Sequence, residues 1–291
     1  MEVRGEERGG GKRRGRSRGL IVAGTLVGAM VVLSALLLSN GMLAPPMVIE
    51  SRSMQHDDDL SALGVLDTGD MVVIGRGEQE VRSYLASEPL DHRSFGELGD
   101  VIVFQTPQAP MPIIHRALVK IEYNASGGFD IPELAGLPPD RWEAEGRGNE
   151  WWNLQETVTI RDIGYAGVDV HIDLWQILRN MDDEPHGGFL TMGDNNWYAR
   201  GGERTGAVDQ TSLSDVPEPI KDEWILGKAV AEIPWIGLLK LTVSNNLPHY
   251  TPLNSVASLL GVITLMSVVS MVIASRYKIE PEDPADKRKR T

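Results

Sequence analysis

Ser51-Arg52-Ser53-Met54 puts two hydroxyls two residues apart, a few positions after a Pro45-Pro46 pair. A serine hydroxyl is a weak nucleophile until a neighbouring base takes its proton, so Ser53 as a nucleophile requires an imidazole or an amine brought in by the fold. The six histidines are His56, His92, His115, His171, His186 and His249. His115 is the best placed, because it lies in the extended apolar run Pro-Ile-Ile-His-Arg-Ala-Leu-Val, where packing fixes a ring. The others sit in polar or turn-like surroundings or close to a second apolar segment. A histidine alone in a strand is more often a packed structural residue, so His115 needs a third group to act as a base. A carboxylate accepting from one ring nitrogen sets the tautomer and stabilises the imidazolium; Asp194 and Asp209, downstream of Phe189-Leu190-Thr191-Met192, are the candidates. The Ser53 backbone N–H and the Ser51 hydroxyl would serve an oxyanion. The chain has no cysteine, which excludes thiol nucleophiles, thiolate-ligated zinc and iron–sulfur centres. Any chemistry falls to hydroxyl, carboxylate or imidazole.

The elements that position these groups begin with two apolar segments. Residues 1–18 carry seven Lys/Arg against three Glu, and no charge follows until Glu50. Within that run, the 22 residues 19–40 make a helix of about 33 Å at about 1.5 Å each, enough for a hydrocarbon core of about 30 Å. The run is longer than the apolar region of a cleavable leader and ends in Met-Leu-Ala-Pro-Pro-Met rather than a small-x-small site, so a retained anchor is expected. A second uncharged run, residues 253–275, is followed by Arg276, Lys278 and a basic Lys-Arg-Lys-Arg. Both tails hold the basic excess, so the positive-inside rule places both in the cytoplasm. The expected organisation is a basic tail (1–18), a first transmembrane helix (19–44), an extracytoplasmic domain (45–252), a second transmembrane helix (253–275) and a second basic tail (276–291), in a plasma membrane. The lipid bilayer is thus a partner.

The region between the spans holds 15 basic and 34 acidic residues, a charge of -19, with only four lysines. Such a domain repels nucleic acid, and an acid-rich, lysine-poor surface suits concentrated salt, as in salt-loving archaea, where screening acts within a few Å. Asp57-Asp58-Asp59 reads as solvated surface rather than a metal site, and neither metal nor organic cofactor is expected. Short β-branched runs bounded by turn residues, at 71–74, 101–104, 113–121, 168–172, 189–192 and 224–233, predict a mainly β core. Gly-Asp pairs precede the first two runs and follow the fifth. Residues 123–188, rich in Gly, Pro, Trp and acid, read as a large insertion between core strands. Asn124-Ala125-Ser126 within it is a glycosylation sequon.

Taken in order, Ser51-Arg52-Ser53-Met54, Gly99-Asp100-Val101-Ile102-Val103-Phe104, Ile114-His115-Arg116 and Phe189-Leu190-Thr191-Met192-Gly193-Asp194-Asn195-Asn196 resemble the type I signal peptidase family in its archaeal and endoplasmic-reticulum branch. Ile225-Leu226-Gly227-Lys228-Ala229-Val230, leading to Ile233-Pro234-Trp235-Ile236-Gly237, is similar to that family's closing strand. The resemblance implies a signal-peptidase-like β catalytic core lying on the membrane, with an extended peptide bound by strand addition. It implies Ser53 as nucleophile, His115 in the place of the lysine of bacterial relatives, Ser51 as an oxyanion hydroxyl, and Asp194 with a downstream Asp as the two acids. The second acid is matched at Asp209 by its Val-Asp context, with Trp197 to Ala207 as an inserted loop. Which acid contacts His115 stays open, Asp209 being preferred. The chain departs from the family in carrying Gln55-His56 where a Pro usually follows the Met. The implied activity is removal of signal peptides from exported precursors by cleavage after small residues, with the translocation machinery as a further partner. The alternatives are a catalytically silent, membrane-anchored binding module and a peptidase acting on another class of membrane-tethered precursor.

Overall fold

Val101-Ile102-Val103-Phe104 has no polar residue on either face, and such a run is stable as a strand only between two apolar layers. In the computed structural model of the chain, which describes residues 43–76, 80–181 and 184–276, all four side chains are fully buried. Their faces alternate: Val101 and Val103 join one cluster with Ile49, Met54, Leu66, Val72 and Ile74. Ile102 and Phe104 join another with Ala117, Phe189, Val216 and Ile220. Truncating a side chain such as Phe104 to Ala would cost about 3–5 kcal/mol.

The strands in chain order are β1 Leu43–Val48, β2 Met71–Gly75, β3 Arg93–Ser94, β4 Glu97–Leu98, β5 Val101–Phe104, β6 Ile113–Asn124, β7 Gly128–Asp130, β8 Trp142–Ala144, β9 Thr157–Ile163, β10 Val168–Asp173, β11 Gly188–Met192, β12 Trp197–Arg200, β13 Glu203–Ala207 and β14 Ile225–Ile233. The helices are α1 Tyr84–Ser87, α2 Leu174–Asn180, α3 Asp209–Ser212, α4 Gly237–Val243 and α5 Leu253–Arg276. The chain is mainly β, as its short β-branched runs predict. One sheet runs β1-β2-β14-β5-β6-β11, with β7 on the far end of β6; a second runs β12-β13-β10-β9-β8. Among the described residues all pairings are antiparallel except β10 with β13. Gly99 enters β5 with φ +78, and a Cβ there would lie 2.6 Å from the Tyr84 amide nitrogen, so the tight approach of α1 requires glycine.

Two sequence expectations change. The first helix is expected to run to residue 44, but Leu43–Val48 is β1, with Pro45 and Pro46 at an irregularity of register between Ala44 and Met47. Leu43 and Ala44 pair with Gly75 and Ile74, so the expected first helix cannot extend to 44. Proline lacks the ladder N–H and is tolerated there because β1 is an edge strand. Residues 123–188, read as an insertion between core strands, run from the end of β6 to the start of β11 as a layer and supply β7 to β10, α2 and most of the largest apolar cluster. Trp197 to Ala207 is not a loop but the β12–β13 hairpin, turning at Gly201-Gly202 and joining that layer through β10.

The described residues from 43 to 256 belong to one compact unit, and α5 from Ala257 onward belongs to a second. The expected first span at 19–40 lies outside the described residues. The expected second span coincides with α5, a continuous helix of 24 residues whose side chains are described without a gap only to Val269. Among the described residues no helix is long and apolar enough to cross a membrane.

Candidate active site

Ser53 sits on a loop pinned at both sides by buried residues: Ile49 (3% exposed) before it, Met54 (1%) and Gln55 (0%) after it. The Thr68 hydroxyl donates to the Ser51 carbonyl at 3.0 Å, and the Thr68 amide donates to Gln55 Oε1 at 3.0 Å. The loop is thus clipped onto the 66–70 turn beneath it. The Ser51 and Ser53 hydroxyls lie 3.1 Å apart. The Ser53 carbonyl accepts from the Asn195 amide at 2.8 Å, tying the loop to the turn after β11.

His115 lies on β6 opposite Ile102 of β5, on the face that carries Phe104 and Ala117. Its Nδ1 is 2.6 Å from Asp209 Oδ2, and the same oxygen accepts from the Thr191 hydroxyl at 2.7 Å. Asp209, the first residue of α3, is fully buried. Because the carboxylate accepts, Nδ1 carries the hydrogen and Nε2 is left as the basic nitrogen. Burial opposes protonation of His115, but the Asp209 charge and hydrogen bond, with the charge of Asp194, outweigh it and hold the imidazole above its ordinary value.

Asp194 is on the opposite face. It receives both arms of Arg116, Nε to Oδ1 at 2.7 Å and Nη2 to Oδ2 at 2.7 Å, and lies 3.0 Å from His56 Nε2. The remaining arm of Arg116 donates to the carbonyls of Ser94, Leu98 and Gly99. Desolvation alone would raise the Asp194 carboxyl, yet Arg116 and His56 hold it below the usual carboxylate range. Of the two candidate acids, Asp209 contacts the His115 ring and Asp194 does not.

The register relates the two halves of the site. Thr191 pairs with Ala117 and Met192 with Arg116, so the next residue, Gly193, falls beside His115. A Cβ on Gly193 would lie 2.6 Å from the Ser53 carbonyl oxygen. The ladder ends at Met192 with Arg116, so Gly193 is the residue that follows on the strand end toward His115, and the Ser53 carbonyl packs on it. Among the described residues, the Ser53 hydroxyl is bonded to Ser51 and not to His115, and Nε2 of His115 has no partner.

Pairing with a carboxylate is not by itself diagnostic in this protein. His92 meets Asp100 at 2.9 Å and His186 meets Glu218 at 3.1 Å, both away from Ser53. His115 differs in its nearly complete burial and in its register beside Gly193. Among the described residues no group of His, Asp and Glu is arranged to hold a metal ion. Asp58 instead pairs with Arg52, and Asp57 caps the amides of Asp59 and Leu60. Thr191, Arg116 and His56 join the site without being singled out as site residues from the sequence. Thr191 and Arg116 lie within the quoted motif blocks, which was the available signal; His56 showed none beyond its nearness to Ser53. No family model matches the chain, and no curated protein is significantly similar to it.

Proposed function

We propose that the protein is a membrane-bound serine endopeptidase that removes signal peptides from exported precursors by cutting after small residues on the outer side of the membrane. The observation that carries this reading is the buried His115–Asp209 pair, 2.6 Å apart, on a strand whose register sets it beside the glycine on which the Ser53 carbonyl packs. The motif resemblance supplies the substrate class and the signal-peptidase-like form of the core. The uncharged runs at 19–40 and 253–275 and the basic tails support two spans with both termini cytoplasmic. Within α5, Thr264 and Ser267 return their hydroxyls to the carbonyls of Leu260 and Ile263, each at 2.8 Å, so both are satisfied inside the helix.

In this mechanism the Ser53 hydroxyl leaves Ser51 for His115 Nε2 when the peptide arrives. Ser53 Oγ then attacks the scissile carbonyl carbon as its proton passes to Nε2, and the Asp209 carboxylate stabilises the imidazolium. The Ser53 amide and the freed Ser51 hydroxyl donate to the developing oxyanion. Collapse breaks the C–N bond, Nε2 returns the proton to the leaving amine, and water hydrolyses the ester with His115 again as base. Shallow pockets reject bulky residues by clash. The test is incubation of the detergent-solubilised full chain with a precursor bearing an Ala-x-Ala junction, in high and low salt. Cleavage by wild type and none by Ser53→Ala is expected; equal cleavage by Ser53→Ala refutes the proposal.

One observation favours a second reading, a module that binds without cutting: the Ser53 hydroxyl is bonded to Ser51 rather than to His115. A serine-reactive acylating probe separates the two, because only an activated Ser53 is labelled.

A further inference from the structure

We infer that His56 is a positioning residue that locks the Ser53 loop to the turn after β11, an inference that rests on the peptidase reading. His56 stands three residues after Ser53 on the same loop, and its Nε2 is 3.0 Å from Asp194 Oδ2. Asp194 is itself immobile: its side chain is 6% exposed and is held by both arms of an Arg116 that is 4% exposed. The Gly193-Asp194-Asn195-Asn196 turn therefore grips the loop through the Asn195 amide at the Ser53 carbonyl, the Asn195 side chain at the Arg52 carbonyl (3.3 Å) and Asp194 at His56.

The imidazole is clamped on its faces as well. The Tyr165 ring stacks on it with centroids 4.2 Å apart and planes 18° apart. A Cβ on Gly96 would lie 3.0 Å from His56 Cε1, so the β3–β4 hairpin closes around the ring. Tyr165 is fixed in turn, donating to Asn195 Oδ1 at 3.2 Å and accepting from Trp197 Nε1 at 3.2 Å. The β9–β10 turn thus reaches the nucleophile loop through this stacked pair and through the Tyr165 hydroxyl, which donates to the Gln55 carbonyl at 3.5 Å.

The chemistry separates His56 from His115. His115 gives Nδ1 to its acid and keeps Nε2 as a base, whereas His56 gives Nε2 to Asp194, an acceptor that Arg116 keeps ionised. His56 therefore acts on Ser53 through the backbone. What it contributes is a donor at the Nε2 position, and a glutamine places its amide nitrogen at nearly the same reach.

The experiment compares cleavage of an Ala-x-Ala precursor by the solubilised full chain as wild type, His56→Ala and His56→Gln, with labelling of Ser53 by a serine-reactive probe in parallel. His56→Ala is expected to lower kcat about 10- to 100-fold, the scale for displacing a reacting group by about 1 Å, with KM within about threefold. His56→Gln is expected to recover kcat to within about fivefold of wild type, which a histidine serving as base could not do. Should His56→Ala be unstable, His56→Met, which fills the space without a donor, carries the same expectation. Wild-type kcat in the donor-less variants, or a His56→Gln as impaired as they are, overturns the inference while leaving the peptidase reading intact. A wild type that neither cleaves nor labels overturns that reading and this inference with it.

Discussion

The Ser53 carbonyl oxygen lies only 2.6 Å from where a Cβ on Gly193 would stand. The nucleophile loop is thus seated directly on the strand end beside His115, and the seat exists because residue 193 has no side chain. Asn196 crowds the same point, its Nδ2 at 2.9 Å.

Gly193→Ala is therefore expected to push the Ser53 segment away from the imidazole. No left-handed backbone is needed at this residue, so the effect is one of space. Under the peptidase reading kcat falls about 100-fold for a displacement of about 1 Å, with the far-UV circular dichroism unchanged. An alanine variant that cleaves at the wild-type rate would show that Ser53 and His115 do not depend on this seat.

The His115–Asp209 pair predicts the pH dependence. Nε2 acts as a base only when the ring is neutral, and its pKa is held above the ordinary 6.5 because the carboxylates outweigh desolvation. The acid limb of kcat/KM should accordingly have its midpoint above pH 6.5, with activity rising as pH rises through it. Asp209→Asn removes the charge and lets an amide donate to Nδ1, leaving the hydrogen on Nε2. Its rate should fall about 10³- to 10⁴-fold, with any residual acid limb moved to lower pH. For stability the sign is opposite: the raised pKa stabilises the fold below 6.5 and this contribution is lost as pH rises through the folded value. A limb centred below 6.5 in the wild type would remove the argument.

What could be read from the sequence follows from how local each signal is. β5 and β2 are legible because unbroken apolar runs behind Gly-Asp turns leave little else for them to be, and β5 begins and ends at the predicted residues. His115 was visible for the same reason, as a polar residue in an apolar strand. Of the layer built from residues 123–188, the run of β10 at 168–172 was legible and the rest was not, since β8 has only three residues and β10 is joined by β13, from outside that stretch, in a parallel pairing across a long separation. The expected helix boundary at 44 overran β1, because an uncharged run with a proline pair also fits an edge strand. Asp194 was named, but its partners Arg116 and His56 are 78 and 138 residues away, and no periodicity encodes such contacts.

Arg116 is the hub of the site's second face, and its removal is expected to act mainly on stability. Arg116→Met strands the buried Asp194 charge and leaves several carbonyls without a donor; breaking a buried pair from one side costs about 3–5 kcal/mol. At about 2–4 °C per kcal/mol for a domain of this size, the melting temperature should fall by about 6–20 °C. Adding Asp194→Asn should return part of the loss, because the uncompensated charge goes with it. A melting temperature unchanged in Arg116→Met would mean that the pair contributes nothing measurable.

The turn under Ser51 carries two further acids whose ionisation works against folding. Desolvation raises Asp67 and Asp70 to about 6 each, although Asp67 accepts from the Ala62 amide and Asp70 from the amides of Asp67 and Trp235. Between 3.8 and about 6 the folded chain binds more protons at these sites than the unfolded chain. Their contribution to stability is therefore fully present below 3.8 and lost as pH rises through about 6. Asp67→Asn keeps an acceptor for Ala62 and presents an amide to the Ser61 hydroxyl, while removing the charge. The variant's melting temperature relative to wild type should be several degrees more favourable at pH 8 than at pH 4.5, measured by thermal denaturation of the solubilised chain. A difference that is flat with pH would mean that Asp67 is already solvated in the folded protein, and that the turn holding Ser51 carries no buried charge at that position.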